Sequence, residues 1–350
     1  MTVVPAECQD AADRGGGLGR ARHAGADAAS LAATTPASPL ACRADGTFRI
    51  VQFTDVHYHD GSERDLLTTA LIGDVLDAEA PDLVILTGDV TGGRGCASPE
   101  AAWRRVVQPI VARGVPWAAV FGNHDDEGAL SRLELLRVQQ SIPGCLTERG
   151  PDGITGVGNY VLAILDAGRK AVAANLYLFD SNAYADEAIG GYGWIAHDQV
   201  AWYRSTAARL AAENGGSLPP ALAFFHIPLP EYQEVWDTRV CRGSRLEEIC
   251  CPRVNSGLFA AFLEAGDVVG TFAGHDHVND FEGELHGIRL CYGRGTGFDT
   301  YGRPGFARGA RVIEIQNGQR GFRSWLRLEG GTRVSDLPLH QPQPKGEERR

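Results

Sequence analysis

The feature that most constrains the fold of this chain is a series of apolar runs that each end in polar, metal-ligating side chains. The run Trp117–Phe121 leads directly into Gly122-Asn123-His124-Asp125, which gathers an amide, an imidazole and a carboxylate where a buried strand would stop. Alone, this tetrapeptide is equally typical of a polar turn, because Gly, Asn and Asp favour turns for backbone reasons. The pattern recurs at four other apolar runs, which end at Asp55-Val56-His57, Gly88-Asp89, His226 and Gly274-His275-Asp276-His277.

Patterns of helical spacing lie between these runs. Apolar positions predict one helix over residues 64–80, which Pro81 ends, and a second over 101–112 that contains Pro109. The alternation of strands and helices predicts an α/β fold with parallel strands at its centre. In that architecture ligands bind beyond the carboxyl ends of the strands, which is where the polar residues fall. Further helices are predicted over 130–140, 197–212 and 256–264, and further strands over 159–165, 175–179, 288–292, 311–316 and 322–328.

The two ends of the chain differ in composition from its middle. Residues 1–46 are rich in Ala, Gly, Ser, Thr and Arg without sustained periodicity, which predicts a disordered or weakly ordered leader. Residues 47–329 are expected to form one domain, because a chain of this length with 43 % hydrophobic residues can bury a large core. The polar, Pro-rich residues 330–350 are expected to form a flexible tail.

Charge and hydropathy exclude some classes of partner. A formal net charge of −11 argues against nucleic acid or an anionic membrane surface as the main partner. It does not argue against a small phosphorylated substrate, because bound metal ions would dominate the local field. No apolar run approaches the ~18 residues of a transmembrane helix. No signal peptide is readable from this start, which slightly favours the cytoplasm and leaves the compartment open.

The eight cysteines do not form a metal-binding pattern. None shows the CxxC spacing of a structural zinc site. Cys241 with Cys250 or Cys251 is a candidate for a short surface disulfide, and buried or free thiols are the alternative. Both alternatives stay open at the level of sequence.

The polar strand ends carry the side chains that a pair of divalent ions needs. Asp55 and His57 are two residues apart on an extended segment, so that both side chains point to one face, and Asp89 offers a carboxylate that can bridge two ions. Imidazole and carboxylate groups suit Mn, Zn or Fe. Two such ions ~3.5–4 Å apart clamp a phosphoryl group and convert water to hydroxide near neutral pH. The candidate ligands are Asp55, His57, Asp89, Asn123, His226, His275 and His277.

Other polar and aromatic residues have weaker cases. Tyr192, Tyr232 and Arg294 are candidates for substrate contact, with aromatic packing or a surface loop as the alternative explanation. His59 and Asp60 extend the first motif, and a solvated loop is the default expectation for them, with a place lining the mouth of the site as the alternative. Asp276 lies between two candidate ligands and is expected to point away from them.

The ordered set of strand ends resembles that of the calcineurin-like metallophosphoesterases, from about Phe48 to Leu328. Longer strings resemble the purple-acid-phosphatase-like branch of that superfamily, which contains plant proteins named as inactive and a yeast cell-cycle phosphatase. The resemblance implies a four-layer αββα sandwich of two mixed β-sheets flanked by helices, with a dinuclear metal centre at one edge. The strings that carry it are Gly191–Ile195, Phe225–Tyr232, Val254–Gly257, Glu264–Asp267 and Gly274–Asp280.

The resemblance also implies a role for each residue. His124 would face the substrate, as general acid for the leaving oxygen or as a donor to the phosphoryl group. Hydroxide bridging the two ions would attack phosphorus in line, and the ions would stabilise the developing charge. One ion would be held by Asp55, His57, Asp89 and His277, and the second by Asp89, Asn123, His226 and His275.

Two departures from the family pattern stand out. Purple phosphatases carry a tyrosine three residues after the bridging aspartate, and here that position is Gly92, which predicts no purple chromophore and a freer choice of metal. His57 would fill the vacant coordination place. No clear carboxylate is in position to orient His124, since Asp125 and Asp126 are adjacent but their directions are open.

The resulting hypothesis is a metal-dependent phosphoric-ester hydrolase, most simply a phosphomonoesterase acting on a small phosphorylated substrate or a phosphoprotein. A phosphodiesterase on the same dinuclear core is the first alternative. A non-catalytic module that binds metal or a partner is the second, and the complete ligand set together with His124 argues against it. The sequence does not indicate the oligomeric state.

Overall fold

The apolar runs form strands, and the helical patterns form helices that cover them. A computed structural model describes residues 39–342 of the chain. Over these residues the strands are β1 (Thr47–Phe53), β2 (Leu83–Thr87), β3 (Trp117–Val120), β4 (Tyr160–Leu165), β5 (Val172–Leu178), β6 (Ala221–Phe224), β7 (Cys241–Arg242), β8 (Val268–Ala273), β9 (Glu282–Leu285), β10 (Ile288–Tyr292), β11 (Gly309–Gln316), β12 (Phe322–Leu328), β13 (Arg333–Val334) and β14 (Leu339–His340). The helices are α1 (Glu63–Glu79), α2 (Pro99–Ala112), α3 (Arg132–Gln140), α4 (His197–Glu213), α5 (Glu231–Thr238) and α6 (Leu258–Ala265).

The strands assemble into two mixed sheets. One sheet has the strand order β13-β12-β11-β1-β2-β3, and the other has the order β14-β7-β9-β10-β8-β6-β5-β4. In the first sheet β1, β2 and β3 run parallel, and β11 is antiparallel to β1. In the second sheet β5, β6, β8 and β10 run parallel. The carboxyl ends of parallel strands therefore meet at one edge of each sheet.

The two sheets pack face to face between outer layers of helices. Ile50 and Ile85 of the first sheet join Leu222 and Phe272 of the second in one buried apolar cluster. A second cluster packs α1, α2 and α3 on the outer face of the first sheet, and a third packs α4, α5 and α6 on the second. Both faces of the central strands are thus covered, as in β2, where all five residues are buried. The structure confirms the predicted α/β, four-layer αββα architecture.

The first helix begins at a capping box. The Asp65 N–H donates to the Ser62 hydroxyl at 3.1 Å, and the Ser62 N–H donates to the Asp65 carboxylate at 3.1 Å. Two N–H groups that a helix start leaves without partners are satisfied in this way. The helix ends at Ala80, one residue before Pro81, as the sequence predicts. This capping box lies beside the site described below.

The predicted boundaries of the domain need correction. Leu40 and Cys42 are buried, and the Cys42 N–H donates to the Leu165 carbonyl at 2.9 Å. At the other end β13 pairs with β12, β14 pairs with β7, and the His340 ring stacks on Trp236 with ring centroids 3.7 Å apart. Residues 39–46 and 330–342 therefore belong to the folded domain. The rest of the predicted leader and tail, 1–38 and 343–350, lies outside the described residues.

Two smaller findings complete the comparison with the sequence. Over residues 39–342 the thiol of Cys241 is free and buried and that of Cys251 is also free, so neither predicted disulfide is formed. Within the same range none of the helices combines the length and the apolar character that a membrane crossing would need.

Candidate metal centre

The carboxyl ends of five strands from both sheets converge on one point. Over the described residues, the candidate ligands that follow β1, β2, β3, β6 and β8 gather there into two neighbouring groups of buried side chains. Within each group the potential ligand atoms lie within 4.8 Å of one another. The first group is Asp55, His57 and His277, and the second is Asp89, His226 and His275.

The first group brings three side chains together beside the Asp89 carboxylate. The Nε2 atoms of His57 and His277 are 3.1 Å apart, and His277 Nε2 is 3.6 Å from Asp55 Oδ1. His57 Nε2 is also 3.6 Å from Asp89 Oδ2. Asp89 thereby joins this group as a fourth donor.

The second group is built around the His226 ring. His226 Nε2 lies 3.1 Å from Asp89 Oδ2, 3.2 Å from Asn123 Oδ1 and 3.3 Å from His275 Nδ1. The same oxygen of Asp89 thus faces both groups. This is the geometry of a carboxylate that two neighbouring ions share.

These distances fit metal coordination. Donor atoms that share one ion at bond lengths of about 2.0–2.1 Å lie roughly 3.0–3.4 Å from one another. The contacts among His57, His277, His226, Asn123 and His275 fall in or close to that range. The mixture of imidazole, carboxylate and amide donors suits Zn, Fe or Mn rather than Ca. The residues present therefore fit two divalent ions.

Outer hydrogen bonds orient several of these donors. His226 Nδ1 contacts the Thr87 carbonyl at 2.8 Å, and His277 Nδ1 contacts the Tyr301 carbonyl at 3.3 Å. A carbonyl only accepts, so each Nδ1 carries the proton and each Nε2 faces the centre. The Asn123 amide donates to the Tyr184 hydroxyl at 3.1 Å, which turns its oxygen inward. Such contacts are how proteins fix the orientation of metal ligands.

The backbone at the centre adopts conformations that non-glycine residues rarely take. Asp55, His57, Asp89 and His275 have φ values of 52°, 46°, 49° and 80°. Left-handed backbone in non-glycine residues costs energy and is concentrated at functional sites. Each of these residues is a candidate ligand. The conformation turns successive side chains into the same small volume.

Asp125 and Gly122 hold the loops after β2 and β3 together. The Asp125 carboxylate accepts the N–H groups of Asp89, Val90, Thr91 and Gly122 at 2.8–3.1 Å. A Cβ atom on Gly122 would lie 2.1 Å from Asp89 Oδ1, so only glycine permits this approach. Asp125 is therefore a loop support and does not orient His124.

Burial and charge set the protonation of the histidines. From the protein groups alone, burial lowers the pKa of His57 to about 3 and that of His277 well below its usual range, so both rings are neutral. Burial would also lower the pKa of His226, but the Asp89 and Asp55 carboxylates outweigh it and raise that pKa to about 9. A divalent ion bound beside His226 would take the place of this proton.

Glu127 is the carboxylate that orients His124, and the sequence interpretation missed it. His124 Nδ1 lies 2.8 Å from Glu127 Oε2, and the Tyr184 hydroxyl donates to Glu127 Oε1 at 3.0 Å. The backbone N–H of His124 donates to Asp89 Oδ1 at 2.8 Å, which fixes His124 beside the metal centre. Asp126 instead contacts the Arg132 guanidinium at 3.2 Å. The signal in the sequence is the i, i+3 spacing of His124 and Glu127, which lets their side chains meet within one turn. Asp125 and Asp126, which follow His124 directly, draw attention away from Glu127.

The centre opens into a cavity of about 590 Å³. The Tyr192 ring lines it and meets His275 edge-on, with centroids 4.3 Å apart, which is compatible with the predicted substrate contact. Besides candidate ligands and His124, the described residues of the wall are His59, Gly92, Tyr192, Glu247, Glu248, Cys250, Asp276, Asp299, Thr300, Tyr301 and Gly302.

Two of the candidate substrate contacts do not lie at this cavity. Tyr232 is fully buried, and its hydroxyl donates to the Cys291 carbonyl at 3.1 Å. The buried guanidinium of Arg294 pairs with Asp280 and donates to the Ala307 carbonyl at 2.7 Å. Both residues support the core, because Tyr232 on α5 and Arg294 in the loop after β10 are buried among other core groups. The prediction of substrate contact is wrong for both.

His59 occupies the space that a side chain at position 92 would need. A Cβ atom on Gly92 would lie 2.3 Å from His59 Nε2. Of the two alternatives for His59, the structure favours a place at the mouth of the site over a solvated loop, because its ring is partly buried against Gly92 and Gly95 and lines the cavity. A tyrosine at position 92 would require this ring to leave, which agrees with the predicted absence of a purple chromophore.

Comparisons with known proteins agree with this geometry. The profile of the family described as "Calcineurin-like phosphoesterase" matches residues 48–279. The chain is 38 % identical to "Probable inactive purple acid phosphatase 28" of Arabidopsis thaliana, and the match covers 84 % of each protein. It is 33 % identical to "Phosphatase DCR2" of Saccharomyces cerevisiae, over 82 % of this chain and 54 % of the yeast protein.

Solved structures show the same fold at low sequence identity. A dimetal phosphatase from Danio rerio superposes with a TM-score of 0.52 at 16 % identity, over 79 % of this chain and 98 % of that one. Purple acid phosphatase PPD1 from yellow lupin (Lupinus luteus) seeds gives 0.50 at 16 % identity, over 84 % of this chain and 53 % of that one. With the family profile and the relatives above 30 % identity, these findings show that the chain belongs to the calcineurin-like phosphoesterase family.

Proposed function

We propose that this protein is a phosphomonoesterase that uses two divalent ions, of Mn, Zn or Fe. The observation that carries the proposal is the position of Asp89 Oδ2, which faces His57 on one side and His226 on the other, with His124 directly beside it. A shared carboxylate between two complete donor sets, open to a cavity, is the arrangement that dinuclear phosphoryl transfer requires.

Each ion would have its own set of side chains. When bound, the ions would polarise the phosphoryl oxygens and lower the pKa of water, so that a hydroxide nucleophile exists near neutral pH. The first would be held by Asp55, His57, Asp89 and His277, and the second by Asp89, Asn123, His226 and His275. Hydrogen bonds to Thr87, Tyr301 and Tyr184 would keep three of these donors in place, namely His226, His277 and Asn123.

His124 would give a proton to the leaving oxygen. Its Nδ1 contacts the Glu127 carboxylate, so Nε2 is the ring atom that would transfer the proton. Glu127 is itself positioned by the Tyr184 hydroxyl, which also receives the Asn123 amide. One chain of hydrogen bonds therefore joins the proposed acid to a proposed metal ligand, and it keeps the two in register.

A phosphodiesterase is the second candidate function. The cavity of about 590 Å³ leaves room for a second ester group beside the phosphoryl site. Only the identity of the substrate separates the two activities, because the same donor groups serve both.

The test is hydrolysis of p-nitrophenyl phosphate beside bis-p-nitrophenyl phosphate by protein stripped with chelator and reloaded with Mn, Zn or Fe. The controls are His124→Ala and a matched His197→Ala, whose side chain is exposed at the start of α4. Metal-dependent monoester turnover that His124→Ala loses and His197→Ala retains is the expected result. Preference for the diester would favour the second candidate. Two bound ions without turnover of either ester would overturn the proposal in favour of a non-catalytic module.

A further inference from the structure

Within the part of the chain that the structure describes, the wall of the cavity carries fixed negative charge and no fixed positive charge. Over residues 39–342, neither lysine nor arginine lines the cavity, whereas Glu247, Glu248 and Asp299 do, together with the buried Asp276, whose carboxylate accepts the Tyr292 hydroxyl. We propose that the site selects small phosphomonoesters whose leaving alcohol carries a positive charge close to the ester oxygen, as an amino alcohol does. This inference rests on the proposed function and names the substrate class of the same site.

Glu247 is a rigid part of the wall. Its Oε1 accepts the Val278 N–H at 2.7 Å, and its Oε2 accepts the Tyr301 hydroxyl at 2.9 Å. Both partners are neutral donors, so neither cancels the charge of the carboxylate, and Glu247 forms no ion pair with a described residue, although the Arg308 guanidinium acts on it electrostatically. The rotamer is held from two sides, and a cation in the cavity would meet a preorganised anion.

Asp299 supplies the second fixed charge. It accepts the Ser62 hydroxyl at 2.8 Å, and its Oδ2 is 3.6 Å from His59 Nδ1. The nearest permanent cation is the Arg64 guanidinium, 3.8 Å away, with 67 % of its side chain exposed. Water screens so exposed a pair, and Arg64 does not line this cavity. Asp299 therefore keeps most of its field on the cavity side.

Glu248 contributes less than the other two carboxylates. It pairs with Arg245 at 2.7 Å, and 64 % of its side chain is exposed. Its charge is therefore both paired and screened. Glu247 and Asp299, from segments far apart in the chain, carry the selectivity.

The aromatic residues of the wall suit the same class of leaving group. Tyr192 and Tyr301 both line the cavity. Aromatic faces beside carboxylates attract ammonium groups, because the ring quadrupole adds to the charge. A leaving group with a carboxylate or a further phosphate would instead be repelled, since none of the wall residues that the structure describes offers it a guanidinium or ammonium group. Nucleotides and polyphosphates are disfavoured for this reason.

The experiment compares three phosphomonoesters of equal length that differ in charge: 2-aminoethyl phosphate, 2-hydroxyethyl phosphate and carboxymethyl phosphate. Metal-loaded protein at low ionic strength is expected to show kcat/KM falling in that order, by about tenfold per step. Added salt should compress the series, because the wall charges are partly solvated. p-Nitrophenyl phosphate serves as the reference substrate.

Variants connect the series to the two carboxylates. Glu247→Gln and Asp299→Asn should each reduce the ratio between the aminoethyl and carboxymethyl esters several-fold. The matched control Glu284→Gln, exposed on β9 away from the cavity, should leave the ratio unchanged. If Glu247→Gln fails to fold, Asp299→Asn still tests the assignment. The comparison of the three esters with the wild-type protein tests the inference without any variant.

Equal rates on the three esters, or a preference for the carboxymethyl ester, would overturn the inference while the proposed function stands. If Glu247→Gln and Asp299→Asn both fold and both leave the ratio unchanged, the assignment to these residues fails. If metal-loaded wild-type protein turns over none of the four esters, the proposed function itself is overturned. Failure of the inference and failure of the proposed function therefore give different results.

Discussion

The floor and the wall of the cavity are built in different ways. The floor consists of buried side chains placed directly after strands, and four of its residues have left-handed backbone that strand ends impose. The wall consists of loop residues such as Glu247 and Asp299, which are partly exposed and held by hydroxyl or N–H donors. The floor is fixed by the two sheets, and the wall is fixed only by contacts between loops.

Changes in the floor should therefore abolish function, and changes in the wall should adjust it. The donors in the floor would bind two ions that share Asp89, so removal of one donor should weaken metal binding at the whole centre. Residues of the wall act singly on the leaving group, and a change there should alter the choice of substrate more than the reaction. The predictions below test this division, beginning at the centre of the floor.

Asp89→Asn should have the largest effect, because it removes the charge shared by both donor groups while keeping the volume of the side chain. We expect kcat/KM to fall by about 10³-fold or more after metal reloading. Kinetics on p-nitrophenyl phosphate check this, with the exposed Asp74→Asn on α1 as a matched control. Activity within tenfold of wild type would show that Asp89 does not join the two groups.

His124→Ala should reduce turnover by about 10²–10⁴-fold on esters with poor leaving groups. The reason is that an alkoxide needs the proton that His124 would supply, whereas p-nitrophenolate leaves with less help. A series of aryl and alkyl phosphates of rising leaving-group pKa measures this directly. Equal losses across the series would assign His124 to phosphoryl binding instead of proton transfer.

Glu127→Gln should reduce turnover of alkyl phosphates about tenfold and that of p-nitrophenyl phosphate by less. The reason is that Glu127 orients His124, which these esters need as a proton donor to different degrees. Tyr184→Phe, which removes the hydroxyl donor to Glu127, should have a smaller effect in the same direction. The leaving-group series separates this from a loss of stability, which would lower all rates alike. A uniform loss would therefore remove Glu127 from the proposed positioning role.

Gly92→Ala should have the smallest effect, on stability more than on turnover. Its φ of −78° suits alanine, so the cost of about 1–2 kcal/mol arises from the clash with the His59 ring. Denaturant unfolding of Gly92→Ala, His59→Ala and the double variant should show that the second change relieves the first. Gly321→Ala, with open space around its Cβ position, is the control. Additive losses would contradict the assigned contact.

Most of the fold follows from the sequence, because long buried strands need apolar runs. β1, β8 and β12 are predicted within a residue or two, and Pro81 marks the end of α1 correctly. The two-residue strands β7, β13 and β14 escape prediction, since strands this short show no pattern of their own: β7 and β14 pair far apart in the chain, and β13 folds back on the end of β12. The eight-residue α5 escapes prediction as well, because only Tyr232 and Val235 are buried on it, whereas the equally short α6 buries four apolar residues and is predicted.

The same distinction governs the site. The strand ends that form the floor are readable, because the carboxyl ends of parallel strands converge in any sheet of this class. The role of Glu127 is not readable in the same way, because it depends on the shape of a turn. In that turn Glu127 faces His124, and Asp125 and Asp126 do not. The wall depends on contacts such as Ser62 to Asp299, 237 residues apart, and no local pattern encodes these.

The central claim is that the floor holds two ions in two donor sets joined by Asp89. The most direct test is the metal content of chelator-stripped, Mn-reloaded protein, measured by elemental analysis for wild type, His277→Ala and His275→Ala. The account predicts two ions per chain in the wild type and about one in each variant, because each variant damages a different group. One ion per chain in the wild type, or two in both variants, would contradict it.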